Sequence, residues 1–583
     1  VSSEDSSQRL NWRLLARFLR PHRRQLAALA GILAATIVVQ LAAPLVTGRF
    51  VDAAVGGAGT EALLGLAGLA LALSLLGQGI AVAETWVAER VAWGATNALR
   101  EHLAAHVLGL DMGFHHAHAA GHLIERVDGD VGTLARLFSR FAIYVVGNAL
   151  LVVGVLALLV AVDWRVGLGM ALVVAAAVAA MLKLRAAATP AAAAERQAAA
   201  EVYGFLGEHL AGREDIRANG AVAFVQRGFA DLMDAWLAAR TRAGMGGYAL
   251  LAAGQGIFGL GTAFAFAAGA VLYREGALTI GAVFLVVRYA EMLRQPTEQI
   301  REEIQDLQQA AAGLGRIDAL LAVRSRLVDG PRDRLPPGAL AIDLDRVRFG
   351  YDPAVPVLRG VSLHIPAGRV LGVVGRTGSG KTTLTRLLPR FIDPDAGSVR
   401  LGGVDLRDAT VAAVRARVGV AAQHTHLFHA SVRDNLTLFD KGMPDDRLRE
   451  LLAALGMEPW LAALPDGLDT VLGPDGAMSA GQGQILACAR LLLRNPDVVV
   501  LDEPSAKLDP ATERLVHRAF ERLLEGRTGV VVAHRLATVA LADDILVMDR
   551  GEVVERGDRL ALAANPSSRY AGLLRLAAEE VVA

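Results

Sequence analysis

Long apolar runs fill the first half of this 583-residue chain and then stop; beyond them, short β-type runs alternate with helical patterns around one glycine-rich turn. Together these features predict a multidomain fold, an all-α transmembrane domain of six helices followed by an α/β domain of the phosphate-loop type. Length alone demands at least two cores. Hydrophobic residues make up 53% and charged residues 20%, which is too apolar for an ordinary soluble enzyme and too charged for a chain that is all membrane. The net charge is +0, so bulk electrostatics give no reason to expect a nucleic-acid partner. The single cysteine, Cys488, excludes an internal disulfide framework or a cysteine metal cluster, and in "ILACARLLL" it reads as a buried helix residue. The charged opening "SSEDSSQRLNWRLLARFLRPHRR" does not read as a cleavable signal peptide.

The expected membrane spans are Leu26–Val46, Ala62–Ala83, Phe141–Val162, Val166–Leu184, and two more near residues 246–272 and 280–293. The third and fourth are joined by a tight "DWR" turn, and the last has the shortest apolar run. Arg17, Arg20, Arg23 and Arg24 precede the first span, which places the N-terminus on the cytoplasmic side. The connections after spans two and four are long, polar and helical in pattern, so the membrane helices are expected to continue into the cytoplasm. The ionisable residues noted in the spans, Lys183, Arg185, Arg288 and Glu291, lie near span ends and read as interfacial, with no ion or proton pathway. A cavity among these spans is expected to be lined by alanine, leucine, valine and glycine. Residues 1–322 thus form the membrane domain, the charged, proline- and glycine-rich 323–340 a linker, and 341–583 the α/β domain.

Within that domain "LGVVGRTGSGKTTLTRLL" reads strand, turn, helix, and carries Gly375-x4-Gly380-Lys381-Thr382, a phosphate-binding pattern in its required context. Glycine there lets backbone N–H groups wrap a phosphate at a helix N-terminus, Lys381 reaches the β and γ oxygens, and the Thr382 hydroxyl suits Mg2+. "VVVLDEP" puts Asp502 and Glu503 at the end of an apolar strand, where Asp502 suits Mg2+ and Glu503 the polarisation of attacking water. Gln423 and His534 end two further apolar strands, on the edge where catalytic groups collect in such sheets. The histidines His115, His116, His118 and His122 invite a metal reading, but no carboxylate–cysteine constellation accompanies them.

The order of phosphate loop, Gln423, "MSAGQ", "LDEPSAKLD" and "AHR" resembles the nucleotide-binding domain of ATP-binding cassette transporters. The six spans with two long cytoplasmic extensions resemble an exporter-type half-transporter of that superfamily. The resemblance implies ATP and Mg2+ as ligands, a lipid bilayer, and a second half-transporter chain with which two ATP molecules are sandwiched. It implies ATP binding by Tyr351, stacked on adenine, and by Gly375, Arg376, Thr377, Gly378, Ser379, Gly380, Lys381, Thr382 and Thr383. Lys381, Gln423, Glu503 and His534 would be catalytic, and Thr382, Gln423 and Asp502 would serve Mg2+. Asp509 would lie at the dimer interface, and "DMGFHHAHAAGHLIERVDGD" and "GREDIRANGA" would be coupling regions.

Ser479, Ala480, Gly481 and Gln482 occupy the signature segment that contacts the partner's ATP. The family pattern has glycine where Ala480 stands, arginine where Gly483 stands, and commonly an acidic residue where Pro474 stands. Ala480 adds a methyl group and loses freedom at positive φ. These departures lie on the side offered to the other chain, which favours a heterodimer with one weaker ATP site over a homodimer. The implied function is export of hydrophobic or amphipathic small molecules, lipids or peptides across a plasma (inner) membrane of bacterial type, by a multi-pass protein with its cassette in the cytoplasm. An exporter-fold importer, for example of a siderophore, is the alternative; the apolar spans argue against a soluble cassette ATPase, and intact Lys381, Glu503 and His534 against a dead regulatory subunit.

Overall fold

The structure is a computed structural model that describes residues 12–352, 354–422, 425–473, 478–502, 510–532 and 536–582. The chain divides into two compact units: Val1–Leu108 with Ala120–Val323, and Gly109–Ala119 with Arg324–Ala583.

The described residues of the first unit form helices joined by short turns. Five helical stretches are long and apolar enough to cross a membrane: Ala16–Val55, Thr60–Leu108, Ala120–Val162, Trp164–Ala211 and Val222–Arg274. At 1.5 Å per residue, helices of 48, 49 and 53 residues extend ~70–80 Å, more than twice a hydrocarbon core of ~30 Å, so they do continue past the bilayer. The turn at Asp163 is tight because Asp163 caps the next helix, accepting from the Arg165 N–H at 2.8 Å. Two stretches flanking the helix Val131–Arg140, Glu125–Asp130 and Phe141–Gly147, are wound as π-helix.

The sixth apolar stretch differs from a simple span. Its helix Ile280–Met292 has 13 residues, ends at Leu293, and restarts as Arg294–Ala322. Pro296 explains the interruption, since it has no N–H to give to the Met292 carbonyl one turn earlier. One buried carboxyl escaped the reading of the spans: Glu84 accepts from the Thr36 hydroxyl at 2.7 Å and is 4% exposed.

In the second unit a six-stranded sheet runs Glu552–Asp558, Asp544–Asp549, Val370–Gly375, Thr528–Val532, Val498–Asp502, Val418–Ala421, parallel except for the first strand. Both faces are buried, which is why its strands read as unbroken apolar runs. Val499, Leu501 and Val531 enter one core, and Val498, Val500, Val530 and Val532 the other. A four-stranded antiparallel sheet, built on Ile342–Phe349 and Leu358–Ile365, stands beside it and was not foreseen as a separate layer.

Residues 324–340 are fastened within the second unit. Arg390, 1% exposed, donates to the Val328 and Ala409 carbonyls, and Asp329 accepts from the Val411 N–H at 2.7 Å. The short helix Met112–Ala117 belongs to the same unit through Asp111, whose carboxylate accepts from the Phe114 N–H at 3.1 Å and from the Arg326 N–H at 2.8 Å. Burial raises the Asp111 pKa, but backbone N–H donors from Arg326, Phe114 and Gly113 outweigh it and hold the carboxyl below its ordinary value.

Candidate functional site

The strand Val370–Gly375 delivers the chain into a turn that only glycine allows at two corners, Gly378 at φ +81 and Gly380 at φ +100. A β-carbon on Gly380 would lie 2.9 Å from Leu358 Cδ2 and 3.3 Å from the Val357 carbonyl oxygen. The helix Lys381–Leu387 follows at once. Lys381 is 5% exposed and curls back under the turn, its Nζ donating to the carbonyls of Gly375 at 2.6 Å and Arg376 at 3.0 Å. The crest residues Arg376, Thr377 and Gly378 are exposed, so their backbone groups face outward.

Ser379 Oγ is buried and has no hydrogen-bond partner among the described residues. An orphaned hydroxyl inside a turn of backbone N–H groups suits a phosphate oxygen. Thr382 is exposed in the first helical turn, where its hydroxyl can meet a cation bound to that phosphate. Asp502 ends the strand Val498–Asp502, two strands from the phosphate loop and paired in register with Val532. The sheet thus sets Gly375 and Asp502 on one edge, so Thr382 and Asp502 are the described residues fit to hold Mg2+. Gln423, Glu503, Asp509 and His534 lie outside the described residues.

Tyr351, 49% exposed, stands at the flank of the loop. Its ring meets Phe349 edge-on at 5.1 Å, and its hydroxyl accepts from Arg386 at 3.0 Å and from the Thr383 hydroxyl at 3.4 Å. The exposed ring face is therefore held in place from behind, as a base-stacking platform requires.

Ser479 caps the helix Ala480–Arg494 in a reciprocal box: Gln482 N–H donates to Ser479 Oγ at 3.2 Å, and Ser479 N–H donates to Gln482 Oε1 at 2.9 Å. The hydroxyl accepts there and keeps its own proton to donate outward. Ala480 is the first residue of that helix and is not among the residues at positive φ. The expectation of a backbone strained by Ala480 is thereby corrected. The position needs an ordinary helical conformation, which alanine favours.

One tie went unread in the sequence. Arg490, on the same helix, donates to the Asn435 carbonyl at 2.6 Å, Asn435 Oδ1 at 3.0 Å and the His426 carbonyl at 2.9 Å. Asn435 is fully buried and in turn holds Phe428, Ala430 and Ser431 by their backbones. The pair pins the segment that follows Gln423 to the helix that carries Ser479. Burial lowers the Arg490 pKa and pushes the Cys488 thiol, on the same helix, up to about 12.

The first unit contains a cavity of about 640 Å³ with a largely polar lining, and a second of about 300 Å³ lined mainly by Val152, Val174, Val178, Met181 and Leu182, the apolar kind expected of the spans. Arg288, Glu291 and Arg294 face the larger one, with the amides Gln40, Gln255 and Gln299. Arg288 and Glu291 form an ion pair at 3.1 Å in the cavity wall. Single amides in otherwise apolar spans were the available signal. Among the described residues no group of three His, Cys, Asp or Glu could hold a metal; His118 instead stacks on Phe114 and bonds its carbonyl.

Two family descriptions match: ABC transporter transmembrane region over residues 27–297 and ABC transporter over residues 358–506. The chain is 29% identical over 480 residues, 82% of this chain and 81% of the relative, to an ATP-dependent lipid A-core flippase of Alcanivorax borkumensis. It is 36% identical to another of that name from Syntrophus aciditrophicus, over 54% of this chain and 52% of the relative. It is also 36% identical to a toxin RTX-I translocation ATP-binding protein of Actinobacillus pleuropneumoniae, over 53% of this chain and 44% of the relative. In these last two the chain spans about half the length of the relative or less. A solved structure of a bacterial Atm1-family ABC exporter with ATP bound superposes with a TM-score of 0.78 at 26% identity, covering 95% of this chain and 98% of that one. With the phosphate loop, the capped signature segment and the multi-span helical unit in one polypeptide, the chain belongs to the ABC transporter family and has the architecture of an exporter half-transporter.

Proposed function

We propose that this protein is one half of an ATP-driven exporter that moves amphipathic molecules across a bacterial inner membrane, the cassette working in the cytoplasm. The observation that carries the reading is a phosphate loop already folded around Lys381, with Ser379 Oγ unpartnered inside it, in the same chain as a multi-span unit enclosing a polar cavity. ATP would lie with its phosphates in the turn 375–383 and its base on Tyr351. Thr382 and Asp502, with Gln423, would hold Mg2+, which would supply charge neutralisation at the triphosphate. Lys381 would orient the phosphates, Glu503 would polarise the attacking water, and His534 would contact the γ-phosphate.

A second chain completes each site with its own Ser479 segment, Asp509 lying at that interface. Because Ala480 sits unstrained in a capped helix, a second copy of this chain serves as well as a different partner. Purified protein in proteoliposomes is expected to hydrolyse ATP with Mg2+, and Glu503→Gln to abolish turnover while keeping ATP binding. Ala480→Gly separates the assemblies: little change in turnover supports the homodimer, and a large gain supports a weakened site made for a heterodimer. Failure of the pure chain to bind ATP refutes the reading. Uptake into vesicles of defined orientation distinguishes export from import.

A further inference from the structure

Tyr351 leaves the strand Ile342–Phe349 through Gly350, and its backbone is tied down on both sides. The Gly350 N–H donates to the Asp395 carboxylate at 2.8 Å, and the Asp395 N–H donates to the Arg348 carbonyl at 2.9 Å. Beyond Tyr351, the Val355 N–H donates to the Asp352 carbonyl at 2.9 Å and the Val357 N–H to the Phe349 carbonyl at 2.8 Å. A β-carbon on Gly350 would stand 2.7 Å from the Asp352 carbonyl oxygen and 2.8 Å from that of Val355, so the turn closes tightly. These bonds fix where the side chain starts but not where its ring points. A half-exposed ring on a fixed backbone still has a choice of rotamers.

The direction of the ring is set at its hydroxyl, from the helix Lys381–Leu387. That helix buries Leu384 and Leu387 in the core that also takes Phe349 and Leu358, which fixes its rotation about its own axis. Thr383 and Arg386, three residues apart, then share one side of the helix and both meet the Tyr351 hydroxyl. The Thr383 hydroxyl donates at 3.4 Å, a long bond between neutral groups. Arg386 donates at 3.0 Å from a charged group, which makes it the stronger of the two. Among the described residues the half-buried Arg386 forms no ion pair, and its guanidinium bonds to Tyr351 alone.

We infer that Arg386 is a positioning residue for ATP, acting through the Tyr351 hydroxyl to hold the ring ready for the base, an inference that rests on ATP stacking its adenine on Tyr351. Lys381 begins the seven-residue helix and Arg386 stands in its last turn. One rigid element therefore sets both the seat of the phosphates and the direction of the base platform. The gain is preorganisation. A ring already immobilised loses no rotamer freedom when a base stacks on it, and releasing one such side chain weakens binding about two- to tenfold. The stacked base is held alike before and during phosphoryl transfer, so the loss falls on KM and not on kcat.

The test uses the full chain in phosphatidylcholine nanodiscs and two probes, each with Mg2+: the β,γ-imido analogue of ATP, and tripolyphosphate, which has the phosphates without the base. Affinities are read by titration calorimetry. Arg386→Met is expected to weaken the nucleotide about two- to tenfold and to leave tripolyphosphate unchanged. In steady-state ATP hydrolysis its KM rises by the same factor while kcat holds. Arg386→Lys, which can still donate to the hydroxyl, keeps most of the affinity. In a Tyr351→Phe background the acceptor is gone, and Arg386→Met is expected to add nothing further. Unchanged nucleotide affinity in Arg386→Met, an equal loss for both probes, or an undiminished effect beside Tyr351→Phe overturns the inference. Normal tripolyphosphate binding shows that a variant has kept its phosphate turn, so a damaged fold is not mistaken for a displaced ring. A wild-type chain that binds the nucleotide no better than tripolyphosphate sinks the platform reading of Tyr351, and one that binds neither sinks the ATP reading beneath it.

Discussion

Replacing Arg490 by methionine removes a charged fork from between two functional segments while keeping most of the side chain's volume. Three hydrogen bonds are lost, to the Asn435 carbonyl, Asn435 Oδ1 and the His426 carbonyl. Bonds from a charged donor contribute about 1.5–3 kcal/mol each, but the lowered Arg490 pKa shows that burying the guanidinium already costs part of that. Asn435 keeps the Phe428 N–H as a donor to its Oδ1, which limits the damage. The net loss is therefore put at about 2–4 kcal/mol. For a unit of this size that lowers the thermal midpoint by about 5–12 °C. A second effect is specific to the site: the segment after Gln423 loses its tie to the helix of Ser479, and misplacement of such groups lowers turnover about tenfold or more. Differential scanning of the reconstituted protein, together with ATP turnover measured well below the midpoint, reads both effects. An unchanged midpoint would show that the fork contributes nothing net. A lowered midpoint with normal turnover would show that the tie is structural only.

Three further outcomes follow from single positions. Gly380→Ala forces a side chain into φ +100 against Leu358 and the Val357 carbonyl, so ATP affinity falls at least tenfold, about 1–3 kcal/mol of strain, as read by binding of a fluorescent ATP analogue. Cys488, with its thiol pushed up to about 12 and no exposure, stays unmodified by N-ethylmaleimide in the native protein and is labelled after denaturation, as intact-mass measurement will show. Asp111→Ala removes a helix cap and the anchor of Arg326, costing about 1–2 kcal/mol. Because the folded pKa of Asp111 is depressed, that contribution is present at neutral pH and is lost as pH falls through the folded value, below 3.8; the wild-type and variant midpoints therefore differ at pH 7 and converge in acid.

What could be read from the sequence was whatever repeats along the chain. The apolar strands Val498–Asp502 and Thr528–Val532 announce a doubly covered sheet, and the glycine and lysine spacing of the phosphate loop fixes its chemistry. Features made by two distant stretches stayed hidden. Arg490 and Asn435 lie on different helices, and neither residue type marks a site alone. The same holds for the cavity: Gln40, Asn148 and Gln255 are single amides in three separate spans, and only packing shows that they face one space. Ala480 misled for another reason. A glycine in a motif suggests a conformation only glycine can take, but the capping box makes that position the ordinary first residue of a helix.

The interrupted sixth helix has a mechanical consequence. Its upper half is moored at Ile280 by Asp52, which holds Thr279 and Gly281. Its lower half is moored by Arg316 to Asp130 and by Glu303 to Arg140, at either end of the helix Val131–Arg140 and beside its two π-wound flanks. A continuous rod clamped at both ends passes torque straight through. The helical path is kept through Leu293, at φ -71 and ψ -23, but the hydrogen bond that Pro296 cannot give is missing there, so this is the point along the rod where bending costs least.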